Sequence, residues 1–231
     1  MIIGLGHYSR TGKDTLANYL VADARAAGLT AKKLSFAWKL KQITHELFGW
    51  AGVKPPEHYD TKDGEKDRMV RLTALESELF PDGPTVVDLW VAVGTPAFRE
   101  SVYPHTWIDY ALNSNHGVDL LVIPDVRFLN EVEAVRERDG WLIKVVRPGH
   151  IPRNSKADLA LVGYEGWDAS VGMSGSLHEL RAFSTMVCSY LSAGDTPAWS
   201  KEHSDCCNEV EAGAIQQARY DGKLSLLGEQ S

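Results

Sequence analysis

The chain has 231 residues, of which 44% are apolar and 24% charged, enough for one large globular domain or a core domain carrying a small insertion. No stretch approaches the ~20 uninterrupted apolar residues of a membrane-spanning helix, so no membrane partner is expected. A formal net charge of −7 argues against a protein that coats nucleic acid through a general basic surface, while leaving room for a locally basic cleft.

The first element is a short apolar run, Ile2-Ile3-Gly4-Leu5, of the kind a buried strand shows. It has neither the basic region nor the long apolar region of a secretion signal. A polar loop follows, then a helix marked by Leu16, Tyr19, Leu20 and Ala24 at helical spacing and closed by Gly28. A second strand is expected at Lys33-Leu34-Ser35-Phe36, and an amphipathic helix with Leu40, Ile43, Leu47 and Phe48 ends at Gly49. Residues 50–66 hold Gly52, Pro55, Pro56 and Gly64 among charges and are read as loop. Helical patterns resume over 67–80 and 85–93, and again after Pro104, where Trp107, Tyr110, Ala111 and Leu112 share a face. The clearest strand, Leu120-Leu121-Val122-Ile123, runs into Pro124-Asp125. A helix over 128–139 and a strand from Trp141 to Val146 come next, followed by a polar Gly/Pro-rich stretch from Pro148 to about Gly166. The last core helix is expected over 176–192, and the polar tail beyond Gly194 has a helical pattern near 207–220.

Strands alternating with helices predict an α/β fold with a parallel sheet whose ligand sits at the carboxyl ends of the strands. The helical insertion before the strand at 120 and the loop after Val146 lie at that edge, placed to close on a substrate.

Between the first strand and first helix the chain reads Gly6-His7-Tyr8-Ser9-Arg10-Thr11-Gly12-Lys13-Asp14-Thr15. A phosphate-binding loop needs inward-turned N–H groups, which glycine permits, then a helix N-terminus facing the anion and a lysine for the outer phosphates. Gly12, the helix start at Lys13 and Lys13 itself meet these needs for a nucleoside triphosphate such as ATP, with Asp14 and Thr15 as further candidates to bind it. The strict pattern G-x-x-x-x-G-K-[ST] is not satisfied. His7 stands where the first glycine should be, with Gly6 one residue early, and Asp14 replaces the magnesium-ligating Ser/Thr, with Thr15 one position late.

These residues, with four further segments in order, resemble the phage-type deoxynucleoside monophosphate kinases. Phe36-Ala37-Trp38-Lys39-Leu40-Lys41 is similar to the family's Phe-Ala-Asp-Pro-Leu-Lys segment, with Trp38 and Lys39 departing from it. Val93-Gly94-Thr95, Arg99 and Trp107-Ile108 resemble the Leu-Gly-Thr…Arg…Trp-Val block. Pro124-Asp125-Val126-Arg127-Phe128-Leu129-Asn130-Glu131 is close to the Pro-Asp-Val-Arg-Phe-Asn-Glu signature, and Val145-Val146-Arg147-Pro148-Gly149 matches the strand and arginine that open the family's lid. The family's His-x-Ser-Glu lid segment has no counterpart among Ile151 to Gly163. The resemblance implies a P-loop kinase fold over 1–194, with a helical monophosphate-binding insertion at about 38–116, a lid at about 148–168 and a peripheral tail over 195–231.

Phosphoryl transfer asks for in-line positioning and positive charge around the moving group. Lys13 and Arg10 supply charge from the loop. Asp125, at the end of a strand beside the loop, can hold Mg2+ directly or through water, as can Asp14, and Arg127 points to the same side as Asp125. Helix capping is the plainer role for the pair Asp125 and Arg127. Arg147 takes the place of the resembling kinases' lid arginine, or is a surface charge. Arg99 is a candidate clamp for the acceptor phosphate, since a guanidinium grips phosphate through two N–H groups, or a solvated helix charge. Phe36, Trp38 and Lys41 are candidates for the acceptor nucleotide, with core packing the alternative for the aromatics.

His203, Cys206 and Cys207 have no second ligand pair at zinc spacing. Together with Cys188 they make no disulfide framework, and a reducing cytoplasm is the expected compartment. The expected activity is ATP-dependent conversion of a deoxynucleoside monophosphate to its diphosphate, acting on small-molecule nucleotides, with a homodimer left open. Two alternatives stand beside it: a kinase for hydroxymethylated pyrimidines in DNA, and a nucleotide-binding regulatory module without an acceptor.

Overall fold

The computed structural model describes residues 1–72, 83–114, 117–152, 156–172 and 176–195. The helix expected near 207–220, most of the one expected over 67–80, and His203, Cys206 and Cys207 fall outside them. The chain divides into two compact units, residues 1–34 with 116–231, and residues 35–115.

The first unit holds a five-stranded, all-parallel sheet in the order β2-β3-β1-β4-β5. The strands are β1 (Ile2–Gly6), β2 (Ala31–Lys33), β3 (Leu120–Val126), β4 (Trp141–Val146) and β5 (Ala169–Gly172). The parallel α/β architecture expected from the alternation is therefore present. β1 lies at the centre, with Ile3 level with Val122 of β3 and with Trp141 of β4. Its residues from Ile3 to Gly6 and six of the seven in β3 are buried, as strands covered on both faces must be.

Helix α1 (Lys13–Ala26) begins after Gly12 and stops at Ala27, where Gly28 at φ 84° turns the chain out of the helix. Its buried stripe of Leu16, Ala17, Leu20, Val21 and Ala24 packs with Ile3, Leu5, Val122, Ile143 and Val145. Leu180 and Val187 of α8 (His178–Ala193) complete that layer. Asp23 ties α8 to α1, accepting from Arg181 Nη2 at 2.7 Å and from Ser184 Oγ at 2.7 Å. Cys188, a buried free thiol on α8, faces the Leu20 carbonyl. On the other face, a Cβ at Gly4 would lie 3.0 Å from Val126, 3.1 Å from Leu142 and 3.5 Å from Val135. Val135 belongs to α6 (Leu129–Arg136), so Gly4 lets that helix approach the sheet closely.

The second unit is helical: α2 (Trp38–Phe48), α3 (Pro56–Thr61), α4 (Val86–Ala92) and α5 (Thr106–Asn113), with tight turns at Gly49–Ala51 and Asp63–Asp67. Thr85 and Asp88 start α4 with a reciprocal cap, Asp88 N–H donating to Thr85 Oγ1 at 3.1 Å and Thr85 N–H to Asp88 Oδ2 at 2.8 Å. The helix then widens into a π-type segment, Val93–Glu100, around Pro96, which has no N–H to give to a regular helix. A Cβ at Gly94 would meet Leu40 Cδ2 at 2.8 Å, and the buried Trp107 donates its indole N–H to the Gly94 carbonyl at 2.9 Å. The glycine of the Gly-Thr block is thus a packing residue.

Several elements differ from the sequence expectation. The second strand lies at Ala31–Lys33, two residues early, because it pairs with Leu120–Val122; only the Leu34 N–H continues the ladder, to Val122 O. The segment 50–66, read as loop, contains α3, started by Pro56 at its first turn. Arg68–Leu72 is not helical: Met69 bridges Thr85, and Val70 N–H reaches Pro84 O at 2.7 Å. The stretch read as irregular after Pro148 holds the short helix α7 (Lys156–Leu159) and leads into β5, which the sequence did not announce.

Candidate active site

Three strands of the first unit end side by side, and their C-terminal turns carry Gly12–Thr15 after β1, Asp125–Arg127 after β3 and Arg147 after β4. This is where an open parallel sheet binds its ligand.

The loop after β1 takes positive φ at three positions, of which one is glycine. His7 has φ 104°, Arg10 φ 61° and Gly12 φ 100°. The first loop glycine is missing from the sequence, yet the backbone at His7 takes the left-handed conformation that glycine favours, at a cost of roughly 1–2 kcal/mol. His7 is buried and its ring stacks on Tyr8 at 3.6 Å, which offsets part of that cost. Gly6 has its own steric reason: a Cβ there would lie 2.2 Å from Trp167 Cη2.

Lys13 is buried and reaches back over the loop, its Nζ donating to the carbonyls of His7, at 3.0 Å, and Tyr8, and lying 3.4 Å from Thr11 Oγ1. Burial, and next the positive charge of Arg127, push its ammonium down from 10.5 to about 7; Asp158, Asp14 and Asp125 act the other way. Four charged residues from three turns are therefore close enough to be felt at one lysine. A buried ammonium with a depressed pKa, at a helix start, is poised to accept an anion that restores its charge.

Arg127 N–H donates to Glu131 Oε2 at 2.7 Å, as does Phe128 N–H at 3.2 Å, so the buried Glu131 caps the start of α6 and sets the arginine's backbone. The guanidinium Nη1 donates to Asp158 Oδ1 at 2.6 Å. Asp158, on α7, also accepts from Ser9 N–H at 3.1 Å and from Ser9 Oγ, which lies 2.8 and 2.6 Å from its two oxygens. His150 Nε2 meets the Ser9 carbonyl at 2.8 Å. The segment after β4 thus grips the phosphate loop at Ser9 from both sides.

The remaining candidates take varied positions. Arg10 is exposed on the loop. Asp14 is largely exposed and pairs with Lys33 at 3.4 Å, and Thr15 is half-buried. Asp125 is half-buried at the end of β3. Arg147 is exposed and lines a small cavity with His7, Tyr8 and His150, without a side-chain hydrogen bond or ion pair among the described residues. Phe36, Trp38, Lys41 and Arg99 belong to the second unit. There Phe36 is buried, Trp38 and Arg99 are half-buried, and Lys41 Nζ sits 4.8 Å over the Trp90 ring, a cation–π contact that occupies it.

Sequence reasoning missed Ser9, His150, Asp158 and Trp167. All but Ser9 lie in the polar Gly/Pro-rich stretch or just past it, where no periodicity or spacing marks them, and only the folded chain brings them to the loop. Among the described residues no three His, Cys, Asp or Glu side chains gather as metal ligands. Asp125, Asp14 and the Thr15 hydroxyl are oxygen donors of the kind magnesium takes, one or two carboxylates together with substrate phosphates rather than an all-protein cage.

A parallel sheet in this order, with a lysine-bearing phosphate loop between β1 and α1, defines an α/β protein of the P-loop kinase class. No family model matches the chain. It is similar to two viral enzymes: a protein of Acanthamoeba polyphaga mimivirus named putative deoxynucleotide monophosphate kinase, 29% identical over 153 residues, covering 64% of this chain and 75% of the relative, and the deoxynucleotide monophosphate kinase of Enterobacteria phage T4, 24% identical over 228 residues, covering 78% of this chain and 95% of the relative. Both bear out the resemblance to the phage-type deoxynucleoside monophosphate kinases.

Proposed function

We propose that the protein is an ATP-dependent phosphotransferase that converts a deoxynucleoside 5′-monophosphate to its diphosphate. The observation that carries this reading is the convergence of Lys13 with Arg127 at adjacent strand ends, one charge for each of two phosphate groups, in a chain similar to enzymes named for this activity.

In this reading the loop N–H groups and Lys13 hold the β- and γ-phosphates of ATP, with Gly12, Asp14 and Thr15 at the helix start. Arg127 holds the acceptor phosphate through the guanidinium nitrogens that Asp158 leaves available. An oxygen of the acceptor phosphate bonds to the γ-phosphorus while the bond from that phosphorus to the β–γ bridging oxygen breaks, leaving ADP. Asp125, with Asp14 or the Thr15 hydroxyl, would hold magnesium, which neutralises phosphate charge when bound. Arg10 and Arg147 are exposed beside the loop and would add charge to the transferring group once a ligand draws them in. The second unit, with Phe36, Trp38, Lys41 and Arg99, would receive the acceptor nucleotide, and the segment at about 148–168 would serve as lid.

The test is a coupled ADP-release assay against a panel of deoxynucleoside and nucleoside monophosphates. Turnover with at least one deoxynucleoside monophosphate, lost in Lys13→Met, supports the reading; a folded protein that turns over none of them sinks it.

A further inference from the structure

We infer that Asp158 is a positioning residue that sets Arg127 for phosphate and locks it in register with the phosphate loop; the inference rests on the function proposed above. The Asp158 side chain is 1% exposed and that of Arg127 27%. A carboxylate taken this far from water is costly unless several donors satisfy it. Among the described residues Asp158 accepts from Arg127 Nη1 at 2.6 Å, Ser9 N–H at 3.1 Å and Ser9 Oγ at 2.6–2.8 Å.

The donors come from different turns. Ser9 lies in the loop after β1, Arg127 in the turn after β3, and Asp158 itself on α7 after β4. One carboxylate therefore fixes the relative placement of the two turns that hold the two phosphates. It takes only one nitrogen of Arg127; Nε and Nη2 make no hydrogen bond among the described residues. A guanidinium held at one corner, with its remaining edge free, is arranged to grip a phosphate through two N–H groups.

Charge argues the same way. A carboxylate beside a loop that must attract phosphates weakens their binding by like-charge repulsion. Such a group serves the site through orientation of its donors, and misplacement by about 1 Å of a group in a transfer reaction costs on the order of 10²-fold in rate. His150, on the Ser9 carbonyl at 2.8 Å, steadies the same loop residue from its other side.

The experiment is a kinetic cycle on the full chain with wild type, Asp158→Asn, Arg127→Ala and the double variant, each checked for folding by circular dichroism. Asparagine keeps an acceptor for Ser9 and removes the charge facing Arg127. Asp158→Asn should lower kcat about 10- to 100-fold and raise KM for the monophosphate several-fold, with KM for ATP moved less than about twofold. The double variant should match Arg127→Ala alone. Losses that multiply in the double variant, or equal KM changes for both substrates, would overturn the inference, because a residue that merely holds the fold has no reason to act through Arg127. Should Asp158→Asn not fold, Asp158→Glu keeps the charge and shifts it by one methylene; it should lose kcat while binding ATP normally, and full activity in it would count against the idea. A folded wild type without turnover fails the function reading alone. The same cycle is then read by calorimetry with inorganic phosphate added over saturating tripolyphosphate, where a double variant no weaker than Arg127→Ala supports the inference, and multiplied or absent losses overturn it.

Discussion

Lys13 is the residue on which the account depends, and its burial makes it testable apart from catalysis. Its pKa is about 7 in the folded protein against 10.5 in water, through desolvation and the nearby Arg127. Below about pH 7 both folded and unfolded chains carry the proton; above 10.5 neither does. Between them the unfolded chain binds a proton that the folded chain does not, so this group's contribution to stability grows as pH rises from 7 toward 10.5 and is lost as pH falls through that window. Urea unfolding at pH 7 and pH 9 should show wild type gaining stability with pH relative to Lys13→Met; equal slopes would contradict the burial of the ammonium. Phosphate binding restores the charge, so at pH 8 tripolyphosphate should bind with uptake of a proton, read by calorimetry in buffers of different ionisation heat and absent in Lys13→Met. His7 supplies a second prediction at this scale. With φ 104°, His7→Gly relieves backbone strain and loses the stacking on Tyr8, whereas His7→Ala loses the stacking and keeps the strain. His7→Gly should therefore be more stable than His7→Ala by about 1 kcal/mol in urea unfolding; the reverse order would show that the loop is not strained there.

Among the elements, the turn from β3 into α6 joins structure to chemistry most directly. Glu131 caps the Arg127 and Phe128 amides, so Glu131→Ala should cost about 1–2 kcal/mol of stability through the lost cap, measured by chemical denaturation, with a loss of turnover that follows the released Arg127 backbone. Arg127→Ala should lower kcat by about 10³-fold, on the scale set by phosphate-stabilising arginines, and leave ATP affinity within a few-fold; an unchanged kcat would remove Arg127 from the reaction. Both helix capping and phosphate chemistry were readings of this turn in the sequence, and the two divide between residues: Glu131 caps, while Arg127 faces Asp158. The strands β1, β3 and β4 and the helices α1 and α8 were legible because their apolar periodicity is strong and their ends are marked by Gly12, Gly28 and Gly194. α3 and β5 were not. A six-residue helix begun by Pro56 and a four-residue strand of small residues, Ala169–Gly172, have too few positions to show a period, and tertiary pairing decides them. Asp158 and His150 were illegible for a related reason: their partner Ser9 is about 140–150 residues away, and no local pattern encodes such a contact.

For the whole molecule, the proposed reading gives the phosphate site to the sheet unit and the acceptor nucleotide to the helical unit. Each has its own core: Leu20 lies with Ile3, Val122 and Val187 in the first, and Trp107 is buried in the second. Leu20→Ala should cost about 2–5 kcal/mol and Trp107→Ala about 3–5 kcal/mol, the latter also stripping the Gly94 carbonyl of its donor; thermal unfolding measures both, and a loss below 1 kcal/mol in either would contradict the packing described. Among the described residues no helix is long and apolar enough to cross a membrane. The region similar to the phage T4 enzyme covers 78% of this chain. The central claim is transfer between two nucleotides, and the most direct measurement is product analysis after incubating the purified protein with ATP, magnesium and each deoxynucleoside monophosphate in turn. ADP and a deoxynucleoside diphosphate should appear in equal amounts for at least one acceptor, and neither should form with Lys13→Met. ATP binding without diphosphate formation from any acceptor would contradict the account.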